Sequence, residues 1–143
     1  MTEKGQTAMS TDEEFEAELG AVFDDLINLI GETKQAAWTA SSSERRQTFD
    51  DLKSCLAEQA AAIDDAERRI GSRPPWVRSP TAHRARNIAG EAAGDSDRLV
   101  ELLVRDLRLA VEDIRRRAAT ITGEWQQLLV DVADDLERQT NAL

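Results

Sequence analysis

Residues 95–143 read DSDRLVELLVRDLRLAVEDIRRRAATITGEWQQLLVDVADDLERQTNAL, and this stretch decides the fold. Its large apolar residues are Leu99, Leu103, Leu107, Val111, Ile114, Ile121, Trp125, Leu128, Val132 and Leu136, with Ala118 filling the one gap. Every step is three or four residues, which keeps one face of an α-helix apolar for roughly ten turns. The apolar phase does not skip at Gly123, so the spacing predicts one long helix over about 96–140, bent at that glycine. Unbroken, it would reach about 66 Å at 1.5 Å per residue. A face of that length must be buried, so the segment is expected to be the spine of a helical bundle.

The upstream sequence supplies helices to cover the spine. Phe15, Leu19, Val22, Leu26 and Leu29 alternate steps of four and three, as in a bundle seam, and Phe23 and Ile30 widen the stripe. Thr11 with Glu14 reads as a capping box, so a first helix is predicted over about 12–40, behind a disordered tail at 1–10. Trp38 is expected to close its far end. Ser41 with Glu44 repeats the capping pattern. A second helix over about 42–70 carries Phe49, Leu52, Leu56, Ile63 and Ile70, with Gly71 as a left-handed cap. Two helices of about 29 residues, roughly 43 Å each, joined by a short turn, predict an antiparallel hairpin. An Arg- and Pro-rich loop follows at 71–79. A weak helix at 80–93 is predicted to start with Ser79 as N-cap and Pro80 in its first turn. Gly94 with Asp95 marks a break before the spine. The expected fold class is all-α: an antiparallel helical bundle of three to four helices in a single domain over 11–143, with a long, kinked C-terminal helix.

Composition supports that class and limits the function. Val and Ile are too scattered for strands, and good helix formers dominate. The net charge of −10, from 18 basic and 28 acidic residues, disfavours direct binding to nucleic acid or to an anionic membrane. Cys55 is the only cysteine, so no disulfide framework is expected. No apolar run resembles a signal peptide or a membrane span, which predicts a cytoplasmic protein.

Against this acidic background one segment is basic. Residues 68–90 hold Arg68, Arg69, Arg73, Arg78, Arg84 and Arg86 and no carboxylate. The segment carries +6 and the remainder −16, which together give −10. Trp76 sits among these arginines beside Pro74 and Pro75. Arg and Trp are common anchors of recognition surfaces, and the guanidinium fork suits carboxylate or phosphate. Arg73, Trp76, Arg78, Arg84 and Arg86 are therefore the candidate partner-binding residues. The competing reading is that these arginines pair with the protein's own acidic helices. Helices of 43 Å do not cover a spine of 66 Å, so Leu99, Leu103, Leu107, Val111 and Ile114 are candidates for self-association, with a dimer favoured.

Residues able to do chemistry are few. His83 has Ser79, Pro80, Arg86 and Asn87 at helical spacing, none of them a metal ligand or catalytic partner of the usual kind. Cys55 has no histidine near it in sequence and reads as an inert, half-buried thiol. The dyads Asp24-Asp25, Asp50-Asp51, Asp64-Asp65 and Asp134-Asp135 diverge by about 100° within each pair and read as solvated surface.

Glu18-Leu19-Gly20 followed by Leu26-Ile27-Asn28-Leu29 resembles part of the all-α nucleotide pyrophosphohydrolases. The resemblance would imply Mg²⁺ held by two acidic motifs on facing helices. Glu13 and Glu16 imitate the first motif, but they lie on the same helix as Glu18. Ala21 stands where the second motif needs Asp. The match covers about a dozen residues and is not adopted: no catalytic residue, cofactor or metal is expected. The expected function is that of a non-enzymatic adaptor or regulatory bundle that binds a protein partner and itself. The alternative is a small acidic regulator or nucleic-acid mimic that occupies a basic site on a nucleic-acid-binding protein.

Overall fold

The computed structural model describes residues 2–71 and 85–143, with side chains from residue 13 onward. Among the described residues there are five α-helices and no strand: α1 (Thr2–Trp38), α2 (Ser43–Ile70), α3 (Ile88–Ala92), α4 (Ser96–Ala118) and α5 (Gly123–Asn141). None is long and apolar enough to cross a membrane.

The predicted spine is two helices, not one. Residues 119–122 leave the helix after Ala118, and α5 starts at Gly123, whose φ is +75°. Thr120, Ile121 and Thr122 are β-branched, which weakens the helix there, and the positive φ suits glycine. Gln126 Nε2 donates to the Ala118 carbonyl at 2.9 Å, satisfying an acceptor that the end of α4 leaves open. The break changes the inward set only at the start of α5, since Val132 and Leu136 are buried as their spacing predicts. Leu129, Val132, Ala133 and Leu136 are buried on α5, while Trp125 and Leu128 are only partly covered.

α4 and α5 fold back on each other as a hairpin, as α1 and α2 do. Contacts along the helices fix the directions. Glu18, Asp25 and Glu32 on α1 meet Arg117, Asp113 and Asp106 on α4, so these two helices run antiparallel. Gln59 meets Asp135, and Arg69 lies over Trp125, so α2 and α5 are antiparallel too. α1 packs on α2 and α4, α5 packs on α4 and more thinly on α2, and each of these pairs is antiparallel. The α1–α2 turn, the start of α4 and the end of α5 share one end. The end of α2 and the α4–α5 turn share the other. The chain therefore leaves α2 beside Glu16 and re-enters beside Gly31, about 22 Å further along α1. That is a long crossover connection of the kind some four-helix bundles use.

The core is one apolar cluster drawn from all five helices, including Leu19, Leu26, Leu29, Leu52, Leu56, Ile63, Ile88, Leu103, Leu107, Ile114, Leu129 and Leu136. Fully burying one such side chain stabilises by about 1.5–3 kcal/mol.

Several local expectations move. α1 begins at Thr2, ahead of the predicted tail boundary and of the Thr11–Glu14 cap. Ser42, not Ser41, caps α2: its hydroxyl accepts from the Arg45 N–H at 3.1 Å. Gly71 is extended rather than left-handed, with φ −99°, and a Cβ there would crowd the Glu16 carboxylate. The weak third helix covers Ile88–Ala92, capped by Asn87, whose side chain accepts from the Gly90 N–H at 2.9 Å. Residues 85–87 are not helical, and Ser79 and Pro80 lie outside the described residues. Ala93 and Gly94 adopt positive φ, and Asp95 then caps α4 through its contacts to the N–H groups of Asp97 and Arg98.

Gly31 fixes where the crossover lands. A Cβ at Gly31 would overlap Ala85 Cβ. Gly31→Ala is therefore expected to push residues 85–87 off α1 and to cost about 1–3 kcal/mol, as overpacking does. A chemical denaturation midpoint measures that loss.

Candidate functional site

Of the five arginine and tryptophan positions named as a contact surface, Arg73, Trp76, Arg78 and Arg84 lie outside the described residues, as does His83. Arg86 is described, and it is tied into the protein's own fold. Its backbone N–H donates to Asn28 Oδ1 at 3.0 Å, and its carbonyl accepts from Gln35 Nε2 at 2.8 Å. Its guanidinium forks onto Glu91 at 2.5 and 2.6 Å and reaches both oxygens of Asp106 at 3.1 and 3.2 Å. The arginine lowers the carboxyl of Glu91 below its ordinary range, chiefly through these hydrogen bonds.

The residues named for self-association face inward. Leu99, Leu103, Leu107, Val111 and Ile114 are all buried within a single chain. The α4–α5 hairpin provides this cover, because halving the spine leaves each half short enough for α1 and α2 to span.

Arg86 stands at the rim of a cleft between α1 and α4. The cleft holds about 290 Å³ and is walled by Leu29, Leu109 and Ala110. Four carboxyl groups line it: Asp25 and Glu32 from α1, Asp106 and Asp113 from α4. Each pair is spaced by seven residues, two helical turns, so each lies on one face of its helix. The carboxyls meet across the seam as Asp25 with Asp113 and Glu32 with Asp106. Glu32 is 0% exposed. Its Oε2 accepts from Asn28 Nδ2 at 3.0 Å, while its Oε1 is buried without an amide, hydroxyl or guanidinium donor. Asp25 Oδ2 is in the same position.

Two carboxylates in contact repel, so each pair needs a proton between its members. Burial, then the hydrogen bond to Asp106, pushes Glu32 up to about 9. Burial and the hydrogen bond to Asp113 push Asp25 up to about 7. Burial works to raise Asp113 as well, but the hydrogen bond from Asp25 and the pairing with Arg117 outweigh it and hold that carboxylate low. Arg117 Nε sits 2.9 Å from Asp113 and its Nη1 3.2 Å from Glu18, and Arg116 also pairs with Asp113. In each pair the carboxyl on α1 is the one raised and carries the proton, hydrogen-bonded to its partner on α4 beside arginines.

Reading Asp24-Asp25 as a wholly solvated dyad was wrong for its second member. The divergence of about 100° between neighbours turns Asp25 into the seam. The same holds for Asp135, which accepts from the Cys55 thiol at 3.1 Å and from Gln59 Nε2 at 2.6 Å. Burial and Asp135 together push the Cys55 thiol up to about 12. At pH 8 it is almost wholly protonated, so iodoacetamide should alkylate native Cys55 at least tenfold more slowly than the same cysteine in urea. A mass-spectrometric time course reads that ratio.

Among the described residues three large apolar side chains are exposed: Trp38, Leu109 and, least so, Leu143. Trp38, expected to close the end of the first helix, is 82% exposed beside the α1–α2 turn. Leu109 is 55% exposed at the rim of the acidic cleft. At the end that holds Trp38, Ser41, Thr48, Phe49, Val100 and Leu143 line a second cleft of about 370 Å³.

The short resemblance to nucleotide pyrophosphohydrolases finds its acidic residues otherwise engaged or apart. Glu13 is exposed, and Glu18 pairs with Arg117. Among the described residues no group of three His, Cys, Asp or Glu side chains is placed to hold a metal ion. Comparison with protein-family models, with curated proteins and with solved structures found no match.

Proposed function

We propose that the protein is a non-enzymatic helical-bundle adaptor or regulator that works by contacting other proteins, including a second copy of itself. The observation that carries this reading is Trp38. A tryptophan with 82% of its surface exposed at a bundle end, the same end as a largely polar cleft, has the character of an interface anchor. Leu109 offers a smaller second contact. The contact surface proposed around Arg73, Trp76, Arg78 and Arg84 adds positive charge to an otherwise acidic molecule. That is the complementarity two copies need to steer each other.

Light scattering across protein concentration, at low and high salt, tests the reading. The wild type should be a dimer at tens of micromolar. Trp38→Ser should shift it towards monomer with no loss of thermal stability, because the side chain packs on little within its own chain. A wild type that stays monomeric throughout would remove self-association. Mg²⁺-dependent nucleotide hydrolysis lost in Glu16→Gln would overturn the non-enzymatic reading altogether.

The net charge of −10 supports a second reading, an acidic mimic that occupies a basic nucleic-acid-binding site. Its binding should weaken steeply with salt. It ranks second because many surface carboxylates are interleaved with arginines, as in Asp64–Arg68, Asp97–Arg45, Glu101–Arg98 and Glu137–Arg115. A phosphate mimic calls for an uninterrupted row.

A further inference from the structure

We propose that the two carboxyl–carboxylate contacts between α1 and α4 form a proton-operated clasp, which holds the α1–α4 seam closed while protonated and releases it as the protons are lost. The geometry singles out this seam. Asp25–Asp113 and Glu32–Asp106 are the rungs that cross it within the cleft, and each brings two acids together where only a proton can join them. Two of their oxygens are buried with no other donor. The packing is most extensive within the α1–α2 and α4–α5 hairpins, smaller between α1 and α4, and thinnest between α2 and α5. Parting the two hairpins therefore breaks the smaller contacts and leaves each hairpin intact.

The charges around each proton set the direction. Facing Glu32 are Asp106 and Arg105 from α4, and Arg86 from the segment before α3. Facing Asp25 are Asp113 and Arg117 from α4, and Asp24 from α1 itself. α2 covers the other flank of α1 with a mainly apolar face, including Phe49, Leu52, Leu56 and Ile63. Once Glu32 or Asp25 ionises, each rung becomes a pair of like charges in a half-buried cleft. The nearby arginines offset part of that repulsion, but they already serve Asp106, Asp113, Glu91 and Glu18.

The sign follows from linkage. Both acids are raised in the folded state, so the folded chain keeps protons that the unfolded chain has released. Their contribution is complete below the unfolded values of 4.5 and 3.8. It falls as pH rises, and is gone once pH has passed about 7 for Asp25 and about 9 for Glu32. The Asp25 proton titrates near neutrality, where a modest change in pH alters the seam.

The test compares the wild type with Asp25→Asn/Glu32→Gln, whose amides donate the same hydrogen bonds at every pH. Small-angle scattering and far-ultraviolet circular dichroism are recorded together from pH 5.5 to 9.5. The wild type should expand between pH 7 and 9.5 with its helix content retained, while the double variant stays compact. Glu32→Gln alone supplies a second reading if the double variant folds poorly. Its folding constant relative to wild type should rise about tenfold per pH unit between roughly 5 and 9, one proton's worth. A wild type that does not expand, a variant that expands in parallel, or expansion with loss of helix would each overturn the clasp.

Discussion

Leu107→Ala is expected to destabilise the protein by about 2–5 kcal/mol, equally at every protein concentration. Leu107 is fully buried within one chain, in the cluster shared by all five helices. Removing its branched end leaves a cavity between α4 and its neighbours, and helices pinned by two hairpin turns cannot collapse into it. Were Leu107 part of a dimer interface, the loss would shrink on dilution as the wild type also lost its partner. Urea denaturation at two concentrations a hundredfold apart separates the two cases.

Asp106→Ala is expected to cost about 1–3 kcal/mol at pH 6, the usual cost of stranding buried polar partners. Asp106 is the point where three elements meet. It accepts a hydrogen bond from the Glu32 carboxyl on α1, accepts with both oxygens from Arg86 in the segment before α3, and lies beside Arg105 on its own helix. Its loss leaves a fully buried Glu32 with a hydroxyl that has no acceptor, and removes one of the two carboxylates that hold Arg86. Asp106→Asn keeps a carbonyl acceptor for Glu32 and should cost less. Denaturation midpoints should rank wild type above Asn, and Asn above Ala. Equal losses for the two variants would mean that charge, not the shared hydrogen bond, is what Asp106 contributes.

The period of the apolar residues carried most of the fold. Leu19, Val22, Leu26 and Leu29 on α1, and Phe49, Leu52, Leu56 and Ile63 on α2, are buried as their spacing required. The helix break was less legible, because the run of threes and fours from Ile114 to Ile121 and on to Trp125 survives on paper. On α5 Val132 and Leu136 are buried as predicted, but Leu129 takes the inward place expected of Leu128, and only the local weakness of Thr120-Ile121-Thr122-Gly123 hints at the break. The α2 cap moved by one residue because neighbouring serines offer equivalent hydroxyls. The acidic seam was the least legible feature. Asp25 and Glu32 flank Leu26 and Leu29, and Asp106 flanks Leu107, positions that sit at the edge of an apolar stripe. Whether an edge position faces water or a neighbouring helix depends on which helices become neighbours. Trp38 fell the other way: it continues the apolar face of α1, but the chain turns at residues 39–42 before anything covers it.

The cover of α4's apolar face and the make-up of the exposed end depend on the α4–α5 hairpin, since a continuous helix would carry residues 123–141 away from both. A distance between spin labels at positions 98 and 141, in a Cys55→Ser background, tests that hairpin directly. Val100 at the start of α4 and Ala142 just past α5 line the same cleft. With neighbouring helix axes about 10 Å apart, the labels should lie within about 25 Å of each other, label arms included. A distribution centred near 65 Å, the length of an unbroken helix over those 43 residues, would contradict the account.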